Sequence, residues 1–95
     1  MDEKKVLTFL RSPAAAPVDL ALELANLTDD EMLAIDLCGR RGLTRDRAVE
    51  ELDKIGIQRE IDAINRWYKS GMKKLCRVWG GLYWIEAIIE YENNT

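Results

Sequence analysis

Past Gly56 the apolar residues recur with a helical period: Ile57, Ile61, Ile64, Tyr68, Met72, Leu75 and Trp79 follow at steps of four, three, four, four, three and four. Those steps keep one face apolar for about six turns and predict a long amphipathic helix. Gly71 lies inside it at a cost of about 1 kcal/mol relative to alanine, and Gly80 with Gly81 mark its bend or end. A last helix is expected from Trp84 to Tyr91, with Ile85, Ala87, Ile88 and Ile89.

Upstream of Gly56 the helices are shorter and more clearly punctuated. Asp2 to Arg11 predicts a short helix with Val6, Leu7 and Leu10 on one side. The segment Ser12 to Pro17 (SPAAAP) breaks it, because proline lacks an amide donor and disfavours helical geometry in the residue before it. Leu20, Leu24 and Leu27 put one apolar face on a helix from Val18 to Leu27. Thr28 stands three residues ahead of Glu31, so hydroxyl and carboxylate can each take the other residue's amide, with Leu27 and Met32 as the hydrophobic staple. A helix therefore starts at Asp29, carries Met32, Leu33, Ile35 and Leu37, and ends near Gly39 before the basic turn Arg40, Arg41, Gly42. Thr44 caps another helix whose inward residues are Ala48, Val49 and Leu52, and Asp53 to Gly56 forms the next turn. No strand pattern competes. The expectation is an all-α chain of about five helices: residues 1–17 form a short helix and a Pro/Ala linker, and residues 18–95 form one helical domain.

Composition narrows the chemistry. The 95 residues are 47% hydrophobic and 33% charged, too charged for a membrane protein and too apolar for a disordered one. Folding a chain this short removes only about 60 to 65% of its unfolded surface from water. Histidine is absent, which removes the usual general base near neutral pH and the commonest metal ligand. Cys38 and Cys76 lack CxxC partners and read as buried thiols, and the acidic run Asp29, Asp30, Glu31 is accounted for by the helix dipole better than by a metal. With no nucleophile arrangement, glycine-rich phosphate loop or paired carboxylates, neither an enzyme nor a cofactor is expected. No charged-then-apolar leader opens the sequence, and the longest weakly charged stretch, Val78 to Ile85, is far short of the roughly 20 residues a membrane crossing needs. A cytoplasmic protein is the expectation.

The net charge of −3 hides an asymmetry. Residues 1–36 hold three basic residues against eight acidic ones, residues 37–77 hold eleven against six, and the last eighteen residues add three acids. A basic block between acidic ends is a candidate polyanion footprint. It coincides with a capped helix, a tight basic turn, a second short helix and a third long one, the outline of a helix-turn-helix at about residues 44–77, with the long helix as recognition helix. The matching segments are LTDDEMLAIDL, GLTRDRAVEEL and GIQREIDAINRWYKSGMKKL, over Leu27 to Leu75, about half of the chain. In them the chain resembles region 4 of bacterial sigma factors and related small phage and plasmid regulators. One departure from the pattern stands out. The small residue that a helix-turn-helix places ten positions before the first buried apolar residue of its recognition helix would here be Glu51, whereas the small residue is Ala48. The turn DKIGI is therefore longer than the pattern.

At 100° per residue, the face of the long helix opposite its apolar stripe holds Arg59, Ala63, Arg66, Ser70, Lys73 and Arg77. Small residues let a helix approach a groove, and arginine pairs bidentately with guanine edges or phosphates. Arg59, Ala63, Arg66 and Ser70 are accordingly expected to face the major groove, with Arg40, Arg41, Arg45, Lys73 and Lys74 on phosphates. The aromatic residues read as core or protein interface. The leading expectation is a sequence-specific binder of double-stranded DNA, a transcription regulator or sigma-like factor of bacterial or phage type. The alternative is a helical protein-interaction module, binding RNA polymerase or a phage DNA-packaging protein, without DNA contact. A homodimer through residues 78–91 is also expected. Ile61, Ile64, Tyr68, Leu75, Val78, Leu82, Ile85 and Ile89 fit a seven-residue repeat, the competing arrangement being a last helix folded back onto Val6, Leu10, Leu20 and Leu24.

Overall fold

The computed structural model describes residues 2–81 and 83–94, with side chains described over 2–81 and 87–92. Its helices are α1 (Glu3–Leu10), α2 (Ala15–Ala25), α3 (Asp29–Ala34), α4 (Arg45–Lys54), α5 (Ile61–Gly81) and α6 (Tyr83–Asn94), and no strand occurs among the described residues. α5 touches every other helix. Its buried face, Ile64, Tyr68, Gly71, Met72, Leu75 and Trp79, is the wall against which the others pack. Trp79 is fully buried, with its ring centroid 5.9 Å from that of Phe9 in α1.

Local signals set most boundaries. The Asp2 side chain accepts the Lys5 amide at 2.9 Å and opens α1. Thr28 and Glu31 form the expected reciprocal box at the start of α3, and Thr44 accepts the Arg47 amide at 3.3 Å at the start of α4. α3 continues without a break into a π-helical stretch, Ile35–Arg40. The Gly39 carbonyl in that widened turn accepts from Arg11 Nε at 2.9 Å, so a cation from the end of α1 closes the helix where its dipole favours positive charge.

Three expectations are corrected. α2 begins at Ala15, inside the expected linker, because Pro17 falls in the first turn, where an amide has no helical partner to lose. It buries Val18, Ala21, Leu22 and Ala25, leaving Leu20 and Leu24 exposed, and it stops at Asn26, which adopts the left-handed conformation. The long helix starts at Ile61, not Ile57, since Gly56 at φ +82° turns the chain and the Ile57 amide closes back onto the Leu52 carbonyl. Ile61 is itself 45% exposed, so the buried stripe begins at Ile64.

The seven-residue seam is also occupied from within. Ile64, Tyr68, Leu75 and Ile89 are buried in the chain's own core and Val78 is half-buried, while the Leu82 and Ile85 positions lie outside the described side chains. α6 packs on α2 and α5, with Ile89 fully buried and Ile88 and Tyr91 exposed.

Gly56 isolates a backbone effect. A Cβ there would meet nothing within 4 Å, yet φ is +82°. Gly56→Ala is expected to lower stability by about 1 to 2 kcal/mol through left-handed strain alone. The urea midpoint should fall with the slope unchanged, and a midpoint equal to that of the parent would refute the strain argument.

Candidate nucleic-acid interface

The nine side chains singled out by sequence separate into two groups. The first has partners within the chain. Glu31, only 3% exposed, accepts from the Thr28 amide at 2.9 Å, from Ser70 Oγ at 2.5 Å and from Lys74 Nζ at 2.6 Å. Burial alone raises the carboxyl pKa, but the lysine, the hydroxyl and the cap outweigh it and hold the group down at about 2. Ser70 and Lys74 thus latch α5 to the start of α3. Ser70, expected at the groove, and Lys74, expected on a phosphate, therefore each have a partner within the chain. The latch needs close helices: a Cβ on Gly71 would come within 2.8 Å of Ile35 Cγ1.

Arg45 is also engaged. Its guanidinium lies 4.0 Å from the centroid of the Tyr68 ring and Nε donates to Asn65 Oδ1 at 3.3 Å, tying α4 to α5. Arg59 precedes α5, pairs with Asp30 at 3.7 Å and sits 5.8 Å from the centroid of Trp67, so it braces the loop against α3. Arg40 reaches Asp19 of α2 at 3.9 Å, a partly exposed and weak pair. Ala63 is half-buried.

The second group is exposed. Arg66 and Lys73 are exposed on α5 without a hydrogen-bond or ion-pair partner among the described residues, and Arg41 is exposed in the turn before α4. With Arg66 and Lys73 stand Lys69 and Arg77, equally exposed and unpaired among those residues. Steps of three, four and four align the four cations in one stripe, and α5 contains no acid after Asp62. Lys69 escaped the sequence reading because it lies on the flank of that face, where only the true position of the buried stripe shows it to be open.

The stripe stops at both its upstream end and its side. Glu60 and Asp62 are exposed where α5 begins, and along α4 the cations Arg47 and Lys54 are each paired with a glutamate of the same helix, at 3.1 Å in both cases. On α5 the exposed cations therefore lie in its middle and C-terminal half.

The remaining chemistry is quiet. Cys38 is buried and Cys76 half-buried, both as free thiols with pKa raised by burial. No group of three or more Cys, Asp or Glu side chains that could hold a metal occurs among the described residues. No helix there is long and apolar enough to cross a membrane. No protein-family model, curated protein or solved structure matches this chain.

Proposed function

We propose that this chain binds double-stranded DNA, with α3, α4 and α5 as a helix-turn-helix unit and the outer face of α5 against the duplex. The observation that supports this reading is the row Arg66, Lys69, Lys73 and Arg77, four cations on one rigid helix with no internal partner among the described residues. Long cationic side chains left unpaired on a single face are suited to phosphates. A role in transcription or in phage regulation, which the sigma region 4 resemblance implies, belongs to the same proposal.

The test is fluorescence anisotropy of a labelled duplex at low salt. The parent chain should bind, and Arg66→Gln with Lys73→Gln should weaken binding at least tenfold without changing the helical circular dichroism. Parent and double variant binding alike would remove the stripe as the contact surface.

A protein-interaction role has its own support on the opposite side of α3. Asp29, Met32, Leu33, Asp36 and Arg40 line a shallow groove of about 520 Å³, an apolar floor between charged walls. That surface is separate from the stripe and suits a protein segment better than DNA, because two carboxylates line it.

A further inference from the structure

We propose that the stripe holds DNA through phosphates alone, so that binding is independent of base sequence; this rests on the duplex-binding reading above. Arg66 and Arg77 apart, the side chains on or near the outer face of α5 that could read base edges have partners within the chain. Asn65 accepts from Arg45, Ser70 donates to Glu31, Arg45 lies on Tyr68, and Arg59 is drawn to Asp30. Each is committed to holding α3, α4 and α5 together, and turning any of them toward a base would break that contact. The upstream end of α5, which a recognition helix presents to bases, instead shows Glu60 and Asp62, and these repel a backbone on approach.

What remains is Arg66, Lys69, Lys73 and Arg77. Arg66 and Arg77 are eleven residues apart, a rise of about 16 Å along the helix. With the reach of the side chains, that span exceeds the roughly 12 Å width of the major groove, so the ends of the row can meet phosphates of both strands. Lys69 and Lys73, flexible point charges, suit this task and give little base discrimination, and Arg66 and Arg77, at the two ends of the row, fall where the strands' phosphates lie. Three of the four cations lie beyond the first two turns of α5, displaced from the end that would carry readout.

The experiment compares two short duplexes of equal composition and scrambled order, together with a duplex pool carried through repeated rounds of affinity enrichment, using the full chain. The two duplexes are expected to bind with equal affinity at every salt concentration, and log affinity should fall against log salt with a slope of about −3 to −4 for four phosphates. Lys69→Gln and Arg77→Gln, at exposed positions, should each lower that slope by about 1 and weaken both duplexes by the same factor. The enriched pool should show no consensus. A consensus bound a thousandfold more tightly than the scrambled duplexes would overturn this inference while leaving DNA binding intact. Failure of every duplex to bind at low salt would instead overturn the duplex-binding reading itself.

Discussion

Gly71→Ala is expected to destabilise the fold, although alanine is the better helix former by about 1 kcal/mol. The new Cβ would stand 2.8 Å from Ile35 Cγ1 and 3.1 Å from its Cδ1. Ile35 is fully buried and belongs to the π-helical stretch, so the clash falls on a side chain that the core holds in place. Overpacking of this kind costs about 1 to 3 kcal/mol, which cancels the propensity gain and exceeds it. Gly71→Leu extends the same argument: several more atoms must enter where one already collides, and α3 must separate from α5. A loss above about 3 kcal/mol is expected, enough to unfold a domain of this size under mild denaturant. Thermal melts of both variants check it. A Gly71→Ala variant that melts above the parent would show that the two helices do not approach as closely as described.

Glu31 is the second sensitive point, and its effect depends on pH. The carboxyl stands at about 2 in the folded chain against an ordinary 4.5. Because the folded value is the lower one, the stabilisation is fully present above pH 4.5 and is lost as pH falls through the interval to about 2. The difference corresponds to at most about 3 kcal/mol, reduced by the solvent that reaches the half-buried Lys74 and the exposed Ser70. Glu31→Gln keeps the shape but removes the charge that Lys74 and the Thr28 amide face, and should cost about 2 to 3 kcal/mol at neutral pH. Its denaturation midpoint should also vary less than that of the parent between pH 5 and pH 2. Equal acid sensitivity in the two chains would mean that other carboxylates govern acid unfolding.

These two residues show where the sequence was readable and where it was silent. The box formed by Thr28 and Glu31 is a spacing of three along one chain segment, so it can be seen without the fold. The partners that make Glu31 central, Ser70 and Lys74, are 39 and 43 residues away, and no local pattern connects them. The adjacent small residues Ser70 and Gly71 on the flank of a long helix were the available sign that another backbone comes close there. Helical period located Arg66 and Lys73 correctly on the open face of α5. The same period put Ser70 there as well, and Ser70 is exposed, but period fixes a direction from the axis and does not show that its hydroxyl reaches Glu31. Leu20 and Leu24 failed for a related reason: large apolar residues define a face on paper, while the face of α2 that packs is made of Val18, Ala21, Leu22 and Ala25, and the three smaller of these let it lie close to α5.

The role assigned to α5 is tested most directly by amide chemical-shift mapping of the isotope-labelled chain titrated with a short duplex. The account predicts shifts in fast exchange along Arg66, Lys69, Lys73 and Arg77, weaker ones at Arg41, and none along α2 or at the groove formed by Met32 and Leu33. Shifts confined to that groove, or to the exposed Ile55 and Ile61 beside the α4–α5 turn, with α5 unmoved beyond Arg66, would contradict it.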